Sequence, residues 1–138
     1  GDQHKIKFAC SGTKDELDFS FSGIKTAVLY YLKGKKINTR IKQDLAACFQ
    51  ETVINVLIKK ALIACKRKNV KQLLIGGGVV ANNKLRNKFL ASTQESGIKC
   101  FFPSIDLCLD NAAMVSGLGY QLNKQGGKDN LYLNLQFN

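Results

Sequence analysis

Residues 72–102, QLLIGGGVVANNKLRNKFLASTQESGIKCFF, carry the pattern that decides the fold. Positions 72–75 are a short apolar run suited to a buried strand, and Gly76, Gly77 and Gly78 make a sharp turn after it. Positions 81–94 then take helical spacing through Leu85, Phe89 and Leu90, and 99–102 read as a second short strand. A loop around Pro103 leads to Asp110, which can N-cap a helix running to about Leu122. Strand–helix–strand–helix order predicts an α/β class with an at least partly parallel sheet.

Upstream, the spacing predicts a long amphipathic helix over 41–68, with Leu45, Phe49, Val53, Val56, Leu57 and Ala61 on its apolar face. Lys66, Arg67 and Lys68 at its end are cations where the helix macrodipole favours them. Roughly 27 residues at ~1.5 Å each give about 40 Å, long enough for a small domain to admit a break. Before it, Ser22 and Gly23 open a helix through Leu32 that Gly34 ends. Positions 5–10 and 17–21 both alternate and read as a hairpin-like pair, and the tail LYLNLQFN has the alternation of a strand.

With 138 residues, 45% hydrophobic and 22% charged, the chain reads as one folded domain over 1–138. The five cysteines are scattered without a CxxC pair, and His4 is isolated, so they read as small core residues suited to a reducing cytosol. No apolar run approaches the roughly 18 residues of a membrane span, and the N-terminus lacks a signal peptide's apolar core. A cytoplasmic protein without a membrane partner is expected, and Gly1 in place of a methionine suggests a boundary within a longer protein. The charge is +11 with a pI near 9.6, and it is unevenly placed. Positions 19–90 hold fifteen Lys/Arg against two acids, Asp44 and Glu51. A basic middle between nearly neutral ends suits a polyanionic partner, with nucleic acid first.

Glycines between a strand end and a helix start allow close backbone approach by a ligand, and exposed N–H groups with the helix dipole favour an anion. The run is neither a Walker A loop nor a spaced GxGxxG, and a tight packing turn explains it equally well. Asn82 and Asn83 can cap the helix or hydrogen-bond a ribose or base, and Arg86 shares a face with Asn82. Asp110 is either an N-cap or an oxygen ligand to a metal whose other ligands lie elsewhere. Ser20 and Ser22 have no histidine near in sequence to activate them.

Three motifs in order, DFSFSGIKTAV, IGGGVVANNKLR and PSIDLCLDNAAMVSGLGY, resemble the C-terminal half of the universal tRNA N6-adenosine threonylcarbamoyltransferase family. That family was long called O-sialoglycoprotein endopeptidase, or glycoprotease. The resemblance runs from Asp18 to Tyr120. It implies the C-terminal lobe of a two-lobed actin-like ATPase (Hsp70/sugar kinase, ribonuclease H-like) fold. It further implies transfer of threonylcarbamoyl from its adenylate to N6 of the adenosine beside the anticodon, with accessory proteins of a modification complex. By motif matching, Gly77 and Gly78 would border the adenylate and Asn82 would hydrogen-bond to it. Asp110 would be one ligand of a divalent metal, iron or zinc, shared with the other lobe.

The sequence also departs from the family. The HxxxH motif that supplies two further metal ligands is absent, and Leu109 stands where the family usually has threonine. A chain with one ligand and one wall of the cleft is expected to be inactive alone. A non-catalytic, basic RNA-binding α/β module is the alternative. The old protease name finds no HExxH here to supply a zinc and its general base. Truncation also predicts that AAMVSGLGY exposes apolar surface or buries it in a self-dimer.

Overall fold

Two short strands, β1 (Gln72–Leu74) and β2 (Lys99–Phe101), run parallel with Leu73 opposite Cys100. The structure, a computed structural model, describes residues 1–8 and 15–126. A parallel pair needs a crossover. It is made here by a 3-10 turn (Gly78–Ala81) and helix α3, counted third in the chain (Asn83–Glu95). Before the sheet come α1 (Ser22–Leu32) and α2 (Thr39–Lys68), and after it a 3-10 turn (Ile105–Leu107) and α4 (Ala112–Lys124). The α/β class and the parallel pairing agree with the sequence reading. Helix α3 begins two residues later than its spacing suggested, because Asn82 is extended and serves as its cap.

Helix α2 is 30 residues without a break, about 45 Å at ~1.5 Å per residue. It starts two residues before the expected position because the Asn38 side chain caps it, accepting from Ile41 N–H at 2.9 Å. Asn69 ends it in the left-handed region at φ 50°.

The core lies where α2 meets α3. Ile54 and Ile58 pack with Leu85 and Phe89, and Leu57, Ala61, Leu62, Leu73, Ile75 and Phe102 close around them. The Phe102 ring meets Phe89 edge-on at 6.5 Å. The buried line on α2 is Asp44, Cys48, Ile54, Ile58 and Cys65. This corrects the predicted face: Leu57 and Ala61 join the core, but Phe49 is exposed. Apolar residues lie all round α2, so a period of 3.6 cannot say which side faces in.

Residues 17–21 form no strand, which corrects the hairpin expectation. The alternation is used differently: the Phe19 and Phe21 rings stack at 5.9 Å, and Lys60 of α2 donates to the Glu16 carbonyl. Residues 5–8 are tied to a helix instead of a neighbouring strand. The Asp44 carboxylate, 1% exposed, accepts from Asp2 N–H and Lys5 Nζ at 2.8 Å each and from Arg40 Nε at 3.4 Å. A buried carboxylate must find donors, and the N-terminal segment brings two of them. Positions 9–10 of that expected pair, Cys10 among them, and the tail 131–138 lie outside the described residues.

Asn111, not Asp110, caps α4, its Oδ1 accepting from Met114 N–H at 2.9 Å; the helix starts one residue later than Asp110 would set it. As expected, α4 shows apolar surface, with Val115 65% and Leu118 62% exposed. Cys48, Cys65 and Cys108 are buried, and burial pushes the partly covered Cys100 thiol up. No helix among the described residues is long and apolar enough to cross a membrane.

A polar seam runs beside the core. Glu51 of α2 meets Lys84 at 2.9 Å and also Lys88, which donates to Asn55 at 2.7 Å. The Lys88 hydrogen bond chiefly holds Glu51 down at about 2, against an ordinary 4.5. Asp44 is likewise lowered from 3.8 to about 2, led by its hydrogen bond from Lys5.

Two measurements check this packing. Phe89→Ala should destabilise the chain by about 3–5 kcal/mol in urea unfolding. Glu51 and Asp44 bind fewer protons folded than unfolded, so the stability they add is complete above about 4.5 and is lost as pH falls towards about 2. The urea midpoint should fall through that window, and Glu51→Gln should flatten the fall.

Candidate functional site

The glycine turn leaves open backbone at the end of β1. Gly77 has φ 97° and ψ 167°, a conformation that side-chain-bearing residues rarely take. A Cβ at Gly76 or Gly77 would meet nothing within 4 Å, so the space beside the chain is open there. At Gly78 a Cβ would touch Leu109 Cδ2 at 3.4 Å. The turn after β1 and the loop before α4 therefore lie side by side, with Gly78 against the residue that precedes Asp110. Val80, 3% exposed, anchors the turn in the interior.

Asn82 follows that anchor and uses both ends of its amide within the protein. Its Oδ1 caps α3 by accepting from Leu85 N–H at 3.1 Å, and its Nδ2 donates to Gln50 Oε1 on α2 at 2.8 Å. The capping role read from sequence is thus realised. One amide N–H and further oxygen lone-pair capacity are left for a ligand.

Arg86 is the residue whose role the sequence understated. Its Nε donates to the Val80 carbonyl at 2.6 Å, and its Nη2 to the Pro103 carbonyl at 2.7 Å and the Cys108 sulfur at 3.1 Å. The guanidinium also lies over the Phe102 ring, 5.1 Å from its centre. One side chain on α3 fastens the glycine turn, the end of β2 and the loop before α4 together. Helical spacing did place Arg86 on the Asn82 face, but the carbonyls it reaches are invisible in a sequence.

Asp110 is exposed at the mouth of that last loop. Nearby, Asp106 is held below the usual carboxylate range, chiefly by the Ser104 side chain. Among the described residues no three His, Cys, Asp or Glu side chains come together to hold a metal. The structure brings Gly77, Gly78 and Asn82 into one turn and sets Leu109 against it, which leaves Asp110 at its border.

A family model described as tRNA N6-adenosine threonylcarbamoyltransferase matches residues 1–117. Curated relatives carry the same name. One from Dictyoglomus turgidum is 44% identical over 123 residues, covering 86% of this chain and 36% of the relative. One from Thermotoga neapolitana is 42% identical over 117 residues, 85% of this chain and 35% of the relative. One from Symbiobacterium thermophilum is 40% identical over 135 residues, 97% and 40%. The chain thus spans 35–40% of the length of these relatives.

Arg86→Ala should leave the Val80 and Pro103 carbonyls without their donor and cost about 1–3 kcal/mol. Amide hydrogen exchange at 103–110 should quicken, and Arg86→Lys should restore little, since one ammonium cannot span a fork's acceptors. Asn82→Ala should cost about 1 kcal/mol through the lost cap.

Proposed function

We propose that this chain, which belongs to the tRNA N6-adenosine threonylcarbamoyltransferase family, supplies one wall of a site that transfers threonylcarbamoyl from its adenylate to N6 of an adenosine in tRNA. The observation that carries the reading is the open glycine turn set against the Leu109–Asp110 loop by Arg86, in a chain of that family. The wall is that of the C-terminal lobe of an actin-like fold, and the second wall belongs to the remaining length that the relatives possess.

In this reading the backbone of Gly77 and Gly78 lies along the adenylate, where a side chain would take up the ligand's space. Asn82 offers its remaining N–H to a ribose or base while its oxygen stays on the α3 cap. Arg86 holds the wall in place without touching the ligand. Asp110 provides one oxygen ligand toward a divalent metal, iron or zinc, whose other ligands come from the second wall. Such a metal would supply positive charge beside the acyl-adenylate. The nucleophile is the adenine amine of the tRNA, which the basic surface draws in through its phosphates. Activity requires both walls, accessory proteins assist in the cytoplasm, and this chain alone turns nothing over.

The test is a chimera in which this chain replaces the matching segment of the Dictyoglomus turgidum relative. Expressed in cells lacking their own enzyme, the folded chimera should restore threonylcarbamoyladenosine, read by mass spectrometry of tRNA nucleosides. Asp110→Ala should lower that product at least tenfold without changing the melting temperature. A folded chimera that yields no modified nucleoside would sink the reading. Calorimetric titration of the isolated chain with an adenine nucleotide and a divalent metal should show binding that Asn82→Ala weakens.

A further inference from the structure

We propose that the corner where α1 turns into α2 is an RNA-docking surface, with phosphate-binding cations on the connecting turn and an exposed tyrosine near the end of α1 that stacks on an unpaired base. The inference rests on the tRNA reading above for its ligand class, but on its own observations for its place.

Several basic residues elsewhere have an evident structural reason. Lys84 and Lys88 neutralise Glu51, and Lys5 neutralises Asp44 together with Arg40, the one cation of the corner that has an acidic partner. Arg67 meets Asp15 and Glu16, and together with Lys66 and Lys68 it ends α2, where the macrodipole favours cations. The corner is different. Its sequence, LKGKKINTRIK over 32–42, has five cations and no acid, and Lys33, Lys35, Lys36, Arg40 and Lys42 are all exposed. Lys33, Lys35, Lys36 and Lys42 take part in no ion pair among the described residues.

Arg40 and Lys42 also stand at the start of α2, whose first turn has no acidic residue. The helix dipole is positive there, so Lys42, which has no acidic partner among the described residues, is disfavoured in the free chain. An arriving phosphate would meet the cations and the dipole together and reverse that cost.

An aromatic and apolar surface adjoins the charge. Tyr30 is 71% exposed, and the Lys35 ammonium lies 3.3 Å from the centre of the neighbouring Tyr31 ring. Between α1 and α2 runs a shallow groove of about 510 Å³, lined by Leu29, Leu45 and Phe49 with Lys25 and Lys42. Cations beside exposed aromatic and apolar surface suit single-stranded or looped RNA, whose bases are free to stack while its phosphates are paired. A duplex would use the charge and leave Tyr30 idle.

The test measures affinity of this chain for an anticodon stem-loop RNA and for a fully paired RNA of equal length, by fluorescence anisotropy across salt. Lys35→Ala/Lys36→Ala/Lys42→Ala should weaken stem-loop binding at least tenfold and flatten the log–log salt dependence by roughly two to three. The matched control, Lys66→Ala/Lys68→Ala/Lys71→Ala, removes equal charge at the far end of α2 and should weaken it less than threefold. Tyr30→Ala should reduce stem-loop binding about tenfold and duplex binding little, and Tyr30→Phe should keep both. Equal losses from the two triple variants would overturn the proposal, as would anionic-vesicle binding without RNA binding. A chain that docks the stem-loop through this corner, in a chimera that never modifies tRNA, would uphold this proposal while overturning the one above.

Discussion

The contact of Ile54 and Ile58 on α2 with Leu85 and Phe89 on α3 turns several short elements into one body. A pair of three-residue parallel strands has little stability of its own, and parallel sheets persist only when helices cover them. Here Leu73, Ile75 and Phe102 lean from the sheet into the same cluster that joins the helices. Burial of these side chains fixes the height of α3 over the sheet. The first residue after the glycine turn to enter the interior, Val80, follows from that placement.

The candidate site takes its shape from this core rather than from its own loops. Arg86 lies one residue from Leu85 and three from Phe89, so its root is as rigid as the core itself. From there it reaches two carbonyls and a sulfur that belong to two different loops. Asn82 is tied to Gln50 of α2 as well as to its own helix. A wall built this way presents open backbone at Gly76 and Gly77 while everything around it is fastened. Preorganised backbone of this kind binds a ligand without first having to be ordered.

Charge follows the same logic of internal satisfaction. The acids of the basic middle segment, Asp44 and Glu51, are both covered and held ionised by lysines. Each therefore consumes positive charge near the packed seams instead of diluting it at the surface. Among the exposed cations outside those seams, Lys33, Lys35, Lys36 and Lys42 share the turn from α1 to α2 and enter no ion pair among the described residues. The apolar counterpart is α4, whose side chains are exposed along the helix.

The sequence by itself determined the elements that depend on neighbours three or four residues apart. It specified α1 to its bounds, the two strands around a glycine turn, the helix between them, and the cations closing α2. It also held the family resemblance, since three motifs in order survive in the primary chain without any fold. Tertiary structure decided which of α2's apolar residues face inward, because they are spread around the helix among its charges and spacing marks no single side. It decided that Asn111 rather than Asp110 caps α4, a choice between adjacent residues that both cap well. It also turned the strand-like alternation at 17–21 into ring stacking, since a strand exists only where another lends it a ladder. The bonds from Arg86 to Pro103 and from Asp2 to Asp44 join residues 17 and 42 positions apart. Contacts over such separations are set by packing, and local spacing carries no record of them.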